Sequence, residues 1–446
     1  MKIDNIDVAA TLDQARKMLK ETKKIPPEFV VVFSHVLTVL ELLLNRLNKN
    51  SKNSSIPPSQ DPNRARAKKA EANRKPGGQP GHVGVTLTRF EDPDEIIDVP
   101  VDPATLPQGR RFVKKGHIAR QVVELTLKRH VKEYRFEILA DETGKKYQAA
   151  VPEGLSRPIQ YGTSVKAAAV YMSVYQLIPV ARVQDYFVHQ AQIPVCEGSL
   201  CTFNKQAYER LKTFETRAKE KLKNAHRLNT DETSLNVGGK KIWLHNASND
   251  KWTLFVPDEV RGAAAMDRIG ILPAFRGVMV HDHWPAYFTY KDSQHALCNA
   301  HHLRELKAAE EVAPTHTWAR AMAALLCDIN EATQAAGGAL GSDAQAAYIK
   351  KYREVIETGE KECPLPPEPE PKPGAKKRRG RIKKTKERNL LERLRDYETE
   401  TLRFMTDRDV PFTNNQGEND IRMTKVQQKI SGCFKPIEGA AIFCRV

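Results

Sequence analysis

Asn229-Thr230-Asp231-Glu232-Thr233 is the stretch whose reading decides the fold. It lies in a run of β-formers, Leu228 to Val237, that stops at Gly238-Gly239 and resumes from Lys241 to Asn246 with Ile242, Trp243 and Leu244. Paired glycines between two such runs mark a hairpin turn, and a third arm follows at Trp252 to Val256. A carboxylate on a strand is costly to bury unless something pairs with it or it faces a cleft. Asp231 therefore has two readings, a solvated edge acid or a functional one.

Two later stretches bear on that choice. Gly277-Val278-Met279-Val280-His281-Asp282 has the pattern of a short buried strand with an acid at its C-terminal end. Asn414-Asn415-Gln416-Gly417-Glu418 is a polar run opening a helix, with its acid in the first turn, where the helix dipole favours the ionised form. A strand acid, a strand-end acid and a helix acid, in that order, make the carboxylate set of an RNase H-like phosphoryl-transfer site. Such chemistry uses two Mg²⁺ (or Mn²⁺) ions about 3.5–4 Å apart. Because Mg²⁺ prefers oxygen ligands and keeps several waters, a few carboxylates suffice. Asp231, Asp282 and Glu418 are the candidate metal ligands and catalytic residues, with Asp420 the second choice for the helix acid. Glu418, Arg422, Lys425 and Lys429 step by four, three and four and share a helix face, so the three bases are candidate phosphate contacts. The same helix also reads as a solvated amphipathic one with Ile421 and Val426 inward.

The chain has 446 residues, enough for two to four domains, and its 71 Lys and Arg against 55 Asp and Glu leave a formal charge of +16. A clustered basic excess of that size points to a polyanionic partner. The seven cysteines form no C-x-x-C pair, and the odd count fits a reduced, cytoplasmic protein. No signal peptide is visible, and the most apolar run, Phe29 to Leu47, is interrupted by His35, Glu41, Asn45 and Arg46 and is too polar to span a membrane.

Taken in order, residues 1–50 are an N-terminal helical segment in which Val30, Phe33, Leu37, Leu40, Leu44 and Leu47 form a short heptad seam. That seam is either a dimerising coiled coil or a helix packed on its own chain. Residues 51–90 have the composition of a basic linker, and Arg64, Arg66, Lys68 and Lys69 are candidate DNA contacts or part of a plain tether. Residues 91–155 alternate like a small β domain, with Val123, Leu125 and Leu127 on one face and Tyr134, Phe136 and Ile138 on another. Its His117 and His130 read as ordinary surface histidines.

Residues 156–224 are helical. Ala181 to Gln190 and Ser199 to Thr216 flank a break at Ile193-Pro194, which reads as a helix-turn-helix or as a plain helical connection. Residues 225–446 hold the three acids. Within them Ser293 to Glu311 reads as one helix carrying His295, Cys298, His301 and His302, and Cys298-x-x-His301 looks like half of a zinc site without a second half. Pro364 to Pro373 reads as extended, and Lys376 to Arg388 packs in nine bases, of which Lys376, Lys377, Arg378 and Arg379 are candidate DNA contacts.

The chain resembles bacterial DDE transposases of the insertion-sequence 66 family. The supporting stretches are Asn53-Ser54-Ser55 with Pro57-Pro58-Ser59, Lys75-Pro76-Gly77-Gly78-Gln79-Pro80-Gly81-His82, Thr230-Asp231-Glu232-Thr233, His281-Asp282, Cys298-Asn299-Ala300-His301, and Phe412-Thr413-Asn414-Asn415 through Glu418 to Ser431-Gly432-Cys433-Phe434. The resemblance implies an RNase H-like core with Asp231, Asp282 and Glu418 as its triad, and a mostly helical insertion at about 313–409. Two departures stand out. The family's cysteine-rich zinc-binding segment falls where Asp98 to Pro152 has no cysteine, so structural zinc is not expected. The family's catalytic domain also runs on past the position of Val446, so a shortened domain is expected.

The expected fold is thus α+β and multidomain: an RNase H-like α/β core with a helical insertion, an N-terminal coiled-coil helix, a small β unit and a helical domain with a candidate helix-turn-helix. The expected function is metal-dependent cleavage at element ends and strand transfer to target DNA by a homo-oligomer, with accessory proteins of the same element as further partners. The competing expectation is an inactive or shortened transposase that only binds DNA. An RNase H-like repair nuclease would fit the acids but not the remaining stretches.

Overall fold

The computed structural model describes residues 2–3, 6–21, 25–47, 49–50, 87–365 and 384–446. They divide into two units, one drawn from Met1–Arg64, Leu155–Gln184 and Val195–Val446, the other from Ala65–Gly154 and Asp185–Pro194. Arg64, Arg66, Lys68, Lys69, Lys376, Lys377, Arg378 and Arg379 lie outside the described residues.

The larger unit begins with a two-residue hairpin, β1 (Lys2–Ile3) and β2 (Ile6–Asp7), followed by α1 (Val8–Glu21) and α2 (Pro27–Leu47). Leu12 of α1 packs with Leu37 and Leu44 of α2, and the Arg16 guanidinium pairs with the buried Glu41 carboxylate. The heptad seam is therefore split. Leu37 and Leu44 are covered by the chain's own first helix, while Phe33, Leu40 and Leu47 remain exposed.

In the smaller unit β3 (Ile138–Ala140) and β4 (Lys146–Gln148) form a hairpin. Its turn is closed by Asp141 Oδ1, which accepts the Thr143 amide at 2.9 Å and the Lys145 amide at 3.0 Å. The broader β domain expected here is not what forms. Val123, Leu125, Leu127 and Tyr134 carry no strand and are exposed. Alternation alone does not make a strand. A strand needs a pairing partner and a layer to bury its apolar face against, and three or more strands are the usual minimum for stability.

Helices α3 (Thr163–Val170), α4 (Val180–Asp185), α5 (Glu197–Arg210) and α6 (Lys212–Lys223) follow. The single helix expected over Ser199 to Thr216 is broken at Leu211, whose φ of −85° and ψ of 3° end one helix and start the next.

A five-stranded mixed sheet is the centre of the larger unit. Its strands are β5 (Arg227–Val237), β6 (Lys240–Ser248), β7 (Thr253–Asp258), β8 (Val278–His281) and β9 (Gln294–Leu297), in the order β7-β6-β5-β8-β9. The first three pair antiparallel, while β8 runs parallel to β5 and β9 parallel to β8. The hairpin between β5 and β6 turns at Gly238 and Gly239, whose φ angles of +56° and +83° favour residues without a Cβ.

Successive side chains on a strand face opposite ways, so the sheet divides its apolar residues between two cores. Leu228, Ala247, Leu254 and Met279 face one side, where they pack with Leu222, Phe275, Tyr287 and Met266 of α7 (Ala263–Ile269). Leu235, Val237, Ile242 and Leu244 face the other, under Ile421 of α13 (Asn415–Ser431) and Ala440 of α14 (Ile437–Arg445). Val278, Val280 and Ala296 share that second face but pack against a helical layer made of α8 (Asn299–Val312), α9 (Trp318–Ala335), α10 (Ser342–Glu362), α11 (Lys386–Asp396) and α12 (Glu398–Leu402). Gly359 lets α10 approach closely, because a Cβ there would meet Leu391 Cδ1 at 2.6 Å and the Trp318 ring at 3.1 Å.

Two expectations about this region change. Ser293 to Glu311 is not one helix: His295 lies on β9, and Cys298 is the N-cap of α8. A four-residue segment such as Gln294–Leu297 is too short for periodicity to separate strand from helix, and parallel pairing with β8 decides it. The basic run is also less free than its composition suggests. Lys384 pairs with Glu392 at 2.6 Å, and the buried Arg388 pairs with Glu360 and with Glu392, the latter at 3.0 Å.

Candidate active site

The site lies on the second sheet face, in the gap between the helical layer and α13. The β5–β8 register pairs Asn229 with Val280, and Asp231 and Asp282 each lie two residues further along their strands. They thus occupy the same level and the same face of neighbouring strands, whose backbones run about 4.7–4.9 Å apart. Asp282 follows the last residue of β8, and its Oδ1 accepts the Trp284 amide at 2.9 Å, which holds the turn.

The start of α13, which carries Glu418, is bolted to the sheet beside Asp231. Asn414 Nδ2 donates to the Thr230 carbonyl at 2.8 Å, and Asn229 Nδ2 donates to Asn414 Oδ1 at 2.8 Å. Asn246 Nδ2 adds a bond to the Gly417 carbonyl at 3.3 Å, and the Asn414 amide donates to Cys298 Sγ at 3.1 Å. Gly417 has no room for a Cβ without crowding the Asn414 side chain at 3.1 Å. One buried asparagine therefore fixes the height of the helix acid relative to Asp231.

Burial pushes the Asp231 carboxyl well above the usual carboxylate range, and the charges of Glu232, Asp282 and Glu418 push it further. The Glu232 amide, which donates to Asp231 Oδ1 at 2.8 Å, acts the other way. Among the described residues no cation pairs with Asp231. By contrast, Glu418 Oε1 has Arg304 Nη2 at 3.6 Å, His301 Nδ1 at 3.7 Å and Cys298 Sγ at 3.9 Å.

Glu232 points to the opposite sheet face and is a buried acid with partners that the sequence did not single out. Tyr287 Oη donates to its Oε2 at 2.5 Å, and Arg261 Nε donates to Oε1 at 3.0 Å. The Arg261 guanidinium lies between two indoles, 4.8 Å from the Trp243 ring centroid and 4.3 Å from that of Trp284. Burial raises the Glu232 carboxyl, while Tyr287 and Arg261 pull it back. Only its place beside Asp231 hinted at this network, because Arg261 and Tyr287 come to it through the fold.

Below the site lies a histidine cluster. His281 is fully buried, with Nε2 2.9 Å from His295 Nδ1, and burial followed by the His295 charge holds its imidazole down at about 3. His283 packs edge-on against Tyr397 with centroids 4.5 Å apart, and burial plus Arg393 hold it at about 4. Both rings are therefore neutral packing groups at ordinary pH.

Of the candidate bases on α13, Arg422 and Lys429 are exposed. Lys425 is not: it donates to the Ser234 carbonyl of β5, and burial lowers its pKa. Its place on the helix turns it toward the sheet, so it ties α13 down instead of facing outward. Asp420 accepts from Gln416 Nε2 at 3.2 Å, one turn back on its own helix. No helix of the described residues is long and apolar enough to cross a membrane.

Comparison with known families adds the remaining observation. The model of the IS66 transposase family matches residues 158–442, well over half of the 446. A family of unknown function (DUF6444) matches residues 31–88, and no curated protein matches the chain. The matched span takes in the whole mixed sheet, both sides of the helical layer and the helix carrying Glu418: the chain belongs to the IS66 family of transposases.

Proposed function

We propose that the mixed sheet is an RNase H-like catalytic core and that Asp231, Asp282 and Glu418 are its metal-binding triad, cutting DNA at element ends and joining the freed ends to target DNA. The carrying observation is Asp231. It is a half-buried carboxylate on the central strand, raised by loss of solvent and by the charges of Glu232, Asp282 and Glu418, and no cation pairs with it among the described residues. Such a cluster is costly unless positive charge neutralises it. The strand order, with β6 antiparallel and β8 and β9 parallel to the central β5, supports the same reading.

The donor set fits Mg²⁺ or Mn²⁺, since it offers carboxylate oxygens on two strands and one helix start. Bound there, two ions would supply an activated water and neutralise charge at phosphorus. The chain's own part is positional. β5 and β8 hold two carboxylates at one level, and Asn414 holds the third. Arg422 and Lys429 offer cations on the same helix for the DNA backbone, joined by the bases of 64–69 and 376–379. The working form is a homo-oligomer in the cytoplasm, acting on double-stranded DNA, with helices of residues 156–224 contributing to end binding.

Nicking of a supercoiled plasmid carrying the element ends, with and without Mg²⁺, tests the proposal. Asp231→Asn should reduce Mg²⁺-dependent nicking to background and leave end binding intact. Undiminished nicking by that variant removes the triad assignment. Absence of nicking by the parent chain, with salt-sensitive DNA binding retained, would leave a DNA-binding protein only.

A further inference from the structure

We infer that Cys298, His301 and Glu418 form a second metal site, specific for a thiophilic divalent ion of the zinc class. The ligand atoms of the three residues all lie within 4.8 Å of one another. Cys298-x-x-His301 supplies half of a site at the start of α8, and the missing part comes from the first turn of α13, far along the chain.

Two of the three ligand-to-ligand distances approach the edges of a tetrahedron. With metal–ligand bonds of about 2.0–2.3 Å, neighbouring ligand atoms lie about 3.4 Å apart for N and O and about 3.6 Å for S and O. Here His301 Nδ1 is 3.7 Å from Glu418 Oε1, and Cys298 Sγ is 3.9 Å from the same oxygen. Each pair needs to close by only about 0.3 Å to reach those edges. The second observation is His301 Nδ1, a buried nitrogen with no hydrogen-bond partner. An orphaned buried acceptor beside a thiol and a carboxylate is the lone pair that a metal would take.

Burial pushes the Cys298 thiol up to about 11, so an incoming ion has to displace its proton. Cys298 is 1% exposed and caps the start of α8, and the Asn414 amide donates to its sulfur at 3.1 Å. The amide donor acts against that burial, toward the thiolate. Binding of the ion releases the Cys298 proton to solvent, leaves His301 neutral, and gives a thiolate, an imidazole and a carboxylate with a water in the fourth position. Arg304 Nη2, 3.6 Å from the same carboxylate oxygen, would give up that contact in exchange. Asp231 and Asp282 take no part, so the site shares one ligand with the proposed triad, and a bound thiophilic ion competes with Mg²⁺ for Glu418.

Cobalt titration of the full chain, freed of metal under reducing conditions, tests this. Co²⁺ should bind with a thiolate-to-metal charge-transfer band and the strong visible bands of a tetrahedral ion. Cys298→Ser should abolish the charge-transfer band, whereas Cys201→Ser, at an exposed cysteine, should keep it. His301→Gln should weaken Co²⁺ binding by about tenfold or more, since loss of even an outer-shell partner costs about 10–100-fold. Asp231→Asn should retain the band, which separates this site from the triad. No band in the parent chain, or the same band in Cys298→Ser, overturns the proposal. If circular dichroism shows Cys298→Ser unfolded, His301→Gln decides, and unchanged affinity there overturns it.

Discussion

Asn414 ties the helix that carries Glu418 to the strand that carries Asp231. Its side chain accepts from Asn229 and donates to Thr230, and both bonds are buried beside Asp231. Truncation to alanine leaves a buried amide and a buried carbonyl unpaired, at a cost of about 1–3 kcal/mol for each unsatisfied group. Asn414→Ala should therefore lower the thermal unfolding midpoint and cut nicking turnover more than it weakens end binding. Intact turnover in a folded variant would separate the height of Glu418 from catalysis. At this scale the elements that carry the three acids were legible because each has a pattern: the strand of Asp231 runs into a double-glycine turn, Asp282 follows Val278-Met279-Val280-His281, and Glu418 follows a polar run. Arg261 and Tyr287 were not, since nothing in their local sequence points to Glu232. Lys425 was placed on the right helix but on the wrong side of it, because helical spacing gives neighbours and not the direction of the sheet.

At the scale of elements, the hairpin β5–β6 and the helix α13 could be read from turn glycines and spacing, while β9 could not. A parallel strand of four residues is recognised by its partner, and the partner lies outside any local window. The break between α11 and α12 at Tyr397 was equally hidden, since periodicity runs through it. The helical layer carries its own pH dependence. His316 Nδ1 lies 2.7 Å from Glu387 Oε1, which also accepts from Trp318 Nε1 at 2.7 Å. The hydrogen bond to Glu387 raises the His316 pKa above its ordinary value of 6.5. A raised folded-state pKa means that this contribution to stability is complete below the ordinary histidine value and is lost as pH rises through the raised one. The unfolding midpoint should fall across that window, and His316→Gln should flatten the slope. An unchanged slope in the variant would assign the pH dependence to other groups.

For the molecule as a whole, α2 leaves a clear residue of apolar surface. Phe29, Val36, Leu40, Leu43 and Leu47 are exposed along one side, next to the Leu37 and Leu44 that α1 covers. Their steps of seven, four, three and four residues are those of a heptad, so a second copy of the same helix would fit the face. Leu43→Glu should shift the chain toward monomer in sedimentation equilibrium without lowering its unfolding midpoint, because Leu43 is 50% exposed. A dimer of unchanged strength would place self-association elsewhere. Of this stripe only Leu40 and Leu47 belong to the heptad seam read from the sequence, because α1 covers Leu37 and Leu44 and leaves a neighbouring face of α2 open.

The indole sandwich around Arg261 has one more consequence. Trp284 donates its amide to Asp282 and lays its ring on the cation that neutralises Glu232, so a single chromophore is tied to an acid on each face of the sheet. A cation bound beside Asp282 would therefore alter the local field at that ring, and Trp284 emission is the signal in which such binding should be read.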